Sequence, residues 1–188
     1  HNSIQKIILD GKNTLITGDI GSGKSTIIDA IITLFARNDK IVYNKAAGAV
    51  YKERTLLSYV TGEYKKTNDN NLTKAQRLRG EESFTILIAH FENKTLKENF
   101  SMGAVFYLKN NDVKKIYFTT KNSISIKEII EYKNIKQIKS FLKSKANIFD
   151  VYKKYFNSFK RVLGIKDYQS IELLYKTLSM KEVSDLNQ

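Results

Sequence analysis

Residues 18–25, GDIGSGKS, follow the pattern G-x-x-x-x-G-K-[ST]. These are the residue types that a polyphosphate needs. Glycines at 18, 21 and 23 free the backbone for torsions that a Cβ resists, so consecutive N–H groups from about Ile20 to Thr26 can converge on phosphate oxygens. Lys24 brings an ammonium charge to the β and γ phosphates, and the Ser25 hydroxyl is placed to ligate Mg2+. A helix starting directly behind the loop adds its partial positive charge at the same point. The candidate ATP or ADP site is therefore Gly18, Asp19, Ile20, Gly21, Ser22, Gly23, Lys24, Ser25 and Thr26, with Lys24 as candidate catalytic residue and Ser25 as candidate metal ligand. A glycine-rich turn that only caps a core helix is the plainer alternative. It gives no reason for a Lys and a Ser at a crowded strand–helix junction.

The remaining chemistry is sparse. A complete P-loop ATPase also needs an acidic residue at the end of a second apolar strand, to hold the metal and orient water. Glu92 follows a strand-like run but has His90 and Phe91 before it and Asn93 after it, as at an ordinary strand exit, and Asp150 is expected on the polar face of a helix. Two histidines, His1 and His90, make neither a metal cluster nor a His-dependent triad, and without cysteine there is no thiolate nucleophile and no Cys-ligated zinc. The chain looks like half of an ATPase site.

The elements that must position this loop are legible in outline. Residues 4–9 and 14–17 are β-rich around the turn signal Asp10-Gly11, which predicts a hairpin whose second strand enters the loop. An apolar periodic helix over 26–35 leaves it, completing the strand–loop–helix setting. Runs 84–91, 102–108 and 114–120 predict three antiparallel strands, the last two joined at Asn110, Asn111 and Asp112. The polar stretch 63–83 reads as a long surface loop or an insertion. From residue 125 the period becomes helical, predicting helices over 126–142, over 148–163 with its end near Gly164, and over 168–178 with Asp167 as N-cap. The aromatic stripe of the middle helix reads as core.

At 188 residues, with 41% hydrophobic and 11% aromatic content, the chain can build one ordinary core, which excludes global disorder. No apolar run has the roughly 18 residues that a membrane span requires. A soluble protein is expected, with no sign of export in the first residues and a cysteine count that suits a reducing compartment. Thirty-two Lys and Arg against nineteen Asp and Glu give +13, which favours polyanions. Residues 127–188 carry +6 and residues 1–126 carry +7, so the tail is charged at nearly twice the density. A solvated helical face explains that tail equally well.

The sequence resembles the N-terminal head lobe of SMC-like ATPases, in the MukB/MksB-like branch that includes the JetC subunit of Wadjet plasmid-defence systems. The resemblance lies in ITGDIGSGKSTIIDAIITLF (16–35), YNKAAGAVYKERTLLSYVTGEY (43–64), FTILIAHFEN (84–93) and LLYKTLSMKEVSDLNQ (173–188). The first segment is common to many P-loop proteins, and the second narrows the branch. Ile20 stands where many SMC-type loops carry Asn. Near the place of the family's metal-coordinating Gln stand Lys176 and Gln169, and the role is assigned to neither.

The resemblance implies an α/β, ABC-type P-loop NTPase head whose N-terminal lobe, with a mixed or antiparallel sheet and flanking helices, spans 1–188. It implies that a C-terminal lobe brings the signature motif and the second acidic strand from beyond a long coiled coil, making this chain a segment of a longer one. It further implies a bacterial, cytoplasmic, nucleoid-associated DNA-organising motor that hydrolyses ATP with Mg2+ when two heads of a homodimer close, acting in plasmid defence or chromosome organisation. Its partners would be a kleisin, winged-helix subunits, a nuclease subunit and double-stranded DNA. Candidate DNA contacts are Lys52, Arg54, Lys65 and Lys66. Two other readings stay open: a self-contained P-loop ATPase or kinase, and a basic nucleic-acid-binding module with a vestigial P-loop.

Overall fold

A computed structural model describes residues 4–19, 21–37, 41, 43, 55–69 and 72–179. Its centre is a four-stranded antiparallel sheet of β3 (Phe84–Asn93), β4 (Glu98–Lys109), β5 (Asp112–Thr120) and β6 (Asn147–Phe149), in the order β3-β4-β5-β6. The three long strands sit where alternation and turn residues predict them. Asn110 and Asn111 take positive φ at the β4–β5 turn, a conformation that their short polar side chains tolerate.

Both faces of this sheet are covered, because both of its alternating side-chain sets are apolar. Phe100, Met102, Ala104 and Phe106 of β4, with Tyr117 of β5, pack one face against α1 (Lys24–Phe35), α2 (Leu56–Thr61), α5 (Tyr152–Val162) and α6 (Tyr168–Ser179). Val105, Ile116 and Phe118 pack the other against α3 (Ile126–Ile130) and α4 (Ile135–Lys145). Gly103 marks the tightest point. A Cβ there would overlap the Phe118 ring and lie 2.7 Å from the Leu87 carbonyl oxygen.

Several sequence expectations are corrected. The stretch 63–83, expected as a long surface loop or an insertion, is not loop throughout: it contains an antiparallel hairpin, β1 (Glu63–Asp69) with β2 (Leu72–Arg77), which forms its own two-stranded sheet. It follows Gly62, the left-handed C-cap of α2, and is tied back by Arg79, whose Nε donates to the Val60 carbonyl at 2.7 Å. The single helix expected over 126–142 is two helices. Ser125 caps α3, and Asn134 begins α4 afresh by accepting from the Gln137 N–H at 3.0 Å. Ile148 and Phe149 belong to β6, paired with β5, so α5 begins only at Tyr152. Gly164 follows α5 at φ 66°, and Asp167 accepts from the Ser170 N–H at 3.0 Å at the start of α6.

The largest difference lies in front of the loop. Residues 4–9 and 14–19 form no strand, and Ile7, Ile8 and Leu15 are 48%, 66% and 86% exposed. A strand needs a neighbour that exchanges backbone hydrogen bonds along its length, and this run joins neither of the described sheets.

Candidate functional site

The loop ends where α1 begins. Gly23, the N-cap of α1, stands at φ 94°, a left-handed conformation that disfavours any other residue, and Gly21 stands at φ 85°. The Ser22 N–H donates to the Asp19 carbonyl at 3.2 Å, closing a tight turn, and the Ile27 N–H reaches the Gly23 carbonyl at 3.1 Å as the helix starts. Because Gly23 has no side chain and no acid lies in the first turn, the first N–H groups of α1 have no internal cap. Twelve residues of aligned peptide dipoles end on them.

Lys24 bends back over this turn. Its Nζ donates to the Gly18 carbonyl, to the Asp19 carbonyl at 2.7 Å and to Ser22 Oγ at 3.4 Å. The ammonium is thus held against the loop by neutral acceptors. An incoming phosphate can outcompete these, because it sets a full negative charge against the ammonium where the carbonyls offer only dipoles. Ser25 and Thr26 are in the first turn, and the Ser25 hydroxyl makes no hydrogen bond to any described residue. Asp19, Gly21 and Ser22 are exposed around the same mouth, whereas Ile20 lies outside the described residues. The arrangement suits a polyphosphate with its cation: uncapped N–H groups at the start of α1, an ammonium held by neutral acceptors and a hydroxyl bonded to nothing described.

The far end of α1 is what holds the loop in place. Burial rises along the helix, with Ile32, Thr33 and Leu34 in the core. Phe35 meets Phe91 edge-on at 6.4 Å and Phe159 at 5.9 Å, and its carbonyl accepts from the Tyr152 hydroxyl. The Arg37 N–H donates to the Tyr168 hydroxyl at 3.4 Å. The P-loop is therefore the free end of a helix clamped at its other end.

Sequence reasoning passed over a polar cluster beneath α1. Asp29 is fully buried one turn beyond Ser25, and the Thr33 hydroxyl donates to the Asp29 carbonyl at 2.6 Å and hydrogen-bonds the Tyr43 hydroxyl at 3.1 Å. Burial pushes the Tyr43 phenol far above its usual range, with the Asp29 charge adding to the shift and the Thr33 bond opposing it. Tyr43 also stacks on Tyr59 of α2 at 5.4 Å. The available signal was an Asp at i+4 from Ser25 on an otherwise apolar helix.

The other chemistry-bearing residues stay apart from the loop. Glu92, next to the last residue of β3, pairs with Asn99 of β4 and is exposed. Asp150 precedes α5 instead of riding on it, 3.7 Å from Lys139. His90 Nδ1 lies 2.9 Å from the Ser101 hydroxyl, which itself donates to the Asn122 carbonyl at 2.9 Å. The only proton of Ser101 is thereby used, so His90 acts as donor and cannot serve it as a base. Gln169 and Lys176 lie on α6, and Lys176 lines a shallow hollow with Ala36 and Tyr168 at the end of α1 away from the loop. Lys65 and Lys66 lie in β1, and Lys52 and Arg54 lie outside the described residues.

A family model for the P-loop containing region of an AAA domain matches residues 1–50. No curated protein matches the chain. The match covers the whole loop and α1, and with the α/β fold it supports nucleotide binding at a P-loop.

Proposed function

We propose that the chain is the ATP-binding half of an SMC-like motor head. The observation that carries this reading is the contrast across one loop. On its phosphate side stand Lys24, Ser25 and the uncapped start of α1, while the β-rich run leading into it, residues 4–17, is largely exposed and forms no strand. In this reading a C-terminal lobe supplies neighbouring strands and an acidic residue, and a second head closes over the nucleotide. ATP with Mg2+ supplies the phosphoanhydride whose hydrolysis drives the motor. Lys24 moves from the loop carbonyls to the β and γ phosphates, the loop N–H groups hold the remaining oxygens, and Ser25 ligates the metal. The wider setting, with a kleisin, winged-helix subunits, a nuclease subunit and double-stranded DNA, belongs to the same proposal, in plasmid defence or chromosome organisation.

The AAA description of the matched region favours a second reading, a P-loop ATPase complete in one chain. One experiment separates the two. Calorimetry should find Mg-ATP binding that Lys24→Ala weakens by about 2–3 kcal/mol, the value of a charge-assisted interaction. Turnover by the 188-residue chain should be undetectable and should appear when a C-terminal head lobe is added. Turnover by the chain alone, abolished by Lys24→Ala, would favour the second reading.

A further inference from the structure

α5 turns Tyr155, Phe156 and Phe159 into the core and leaves Lys153, Lys154, Asn157 and Arg161 exposed, with Lys160 half-buried beside them. At 100° per residue Lys153 and Lys160 form one row and Lys154 and Arg161 a second, the members of each row about 10 Å apart along the axis. The helix carries no carboxylate. The acids just outside it are engaged, Asp150 with Lys139 at 3.7 Å and Asp167 with the Ser170 N–H at 3.0 Å. Lys153, Lys154 and Arg161 make no ion pair or hydrogen bond with any described residue.

Two of these cations stand where helix electrostatics oppose them. Lys153 and Lys154 occupy the first turn of α5, which has no acid and whose N-cap, Val151, offers no side-chain bond. The partial positive charge of a helix N-terminus favours Asp or Glu at these positions and disfavours Lys. A local rule broken without a compensating interaction points to function rather than stability. Lys160 and Arg161, in the last turn, suit the dipole and on their own would point to nothing.

We propose that the outer face of α5 is a docking surface for the phosphate backbone of duplex nucleic acid, held through Lys153, Lys154, Lys160 and Arg161. The inward placement of the aromatic side chains leaves no stacking platform of the kind that single-strand binders use. The apolar side of the helix is spent on the core, so it cannot enter a bilayer, and the face lacks the apolar or aromatic centre of a protein hot spot. Two straight rows of cations match a duplex, which presents one negative charge per about 1.7 Å of axis. α5 packs through its inward Phe159 against Phe35, at the opposite end of the twelve-residue α1 from the P-loop, and the cationic face turns away from that contact. Duplex and nucleotide would therefore not compete. This inference does not rest on nucleotide binding, and its test contains none.

The test measures fluorescence anisotropy of a random-sequence duplex with the 188-residue chain across a salt series, together with thermal unfolding. In the Lys153→Glu/Lys154→Glu variant the melting temperature should hold or rise, because acids now occupy the first turn. Duplex affinity should fall, and the slope of log K against log salt should shrink by about two, since each phosphate left without its cation takes about 0.9 from it. The same charge change as Lys136→Glu/Lys143→Glu, exposed on α4 across the sheet, should leave binding unchanged. Equal weakening by the α4 pair would reduce the effect to net charge and overturn the proposal. So would weakening by Glu at Lys52, Arg54, Lys65 and Lys66 with the α5 pair silent, absence of duplex binding at low salt, or an α5-dependent preference for phosphatidylserine vesicles over duplex.

Discussion

Lys24 and Ser25 sit next to each other and are held quite differently. The Lys24 ammonium is pinned by carbonyls of its own loop, whereas the Ser25 hydroxyl is bonded to nothing described. Ser25 should therefore matter only through the metal. Calorimetry of Ser25→Ala should show ATP binding weakened by about 1.5–3 kcal/mol in Mg2+, the value of a hydrogen bond to a charged partner, and unchanged when EDTA removes the metal. Equal weakening in both conditions would make Ser25 a loop-shaping residue instead. These residues were legible because the loop is a local object: glycines at the turn positions, Lys and Ser at the helix start, all within eight residues. The Asp29, Thr33 and Tyr43 cluster was not, since Thr33 meets Tyr43 across ten positions and no local pattern announces the meeting. Asp150 was misplaced for a related reason. Periodicity put it on a helix face, and the pairing of Ile148 with Phe118 of β5 pulled the preceding residues into a strand.

At the scale of elements, β3, β4 and β5 were legible from alternation and turn residues because each pairs with its neighbour in sequence. What depended on a distant partner was not. Asn134 interrupts a continuous helical period by capping α4, and the packing of Ile129, Ile138 and Leu142 with Val105 and Phe118 holds two helices in place of one. Gly103 gives a sharp test of the sheet. In an open strand Gly→Ala is stabilising, by roughly 0.5–1 kcal/mol, since Ala loses less backbone entropy on folding. Here the added methyl would run into the Phe118 ring and meet the Leu87 carbonyl oxygen at 2.7 Å. Gly103→Ala should therefore destabilise the chain by about 1–3 kcal/mol, as overpacking does, lowering the urea midpoint without changing the slope. A gain in stability would mean that β3, β4 and β5 are farther apart at this point than they stand here.

For the whole molecule, the sheet is covered on both faces and the far end of α1 is clamped at Phe35, yet the P-loop end of α1 carries in front of it an apolar run that makes no strand. Exposed apolar side chains such as Ile8 and Leu15, on a segment of strand composition, are costly to leave in water and invite pairing. If a second lobe completes the head, its first effect should be on this run rather than on the loop chemistry. Amide hydrogen exchange of the isolated chain should find residues 4–9 and 14–17 unprotected while the amides of β4, paired on both sides, exchange slowly. Adding a C-terminal head lobe should slow exchange over 4–17 and leave β4 unchanged, with or without nucleotide, because the run joins neither of the described sheets. Slow exchange over 4–17 in the isolated chain would show that the run is already paired, and the half-head reading would lose the observation that carries it.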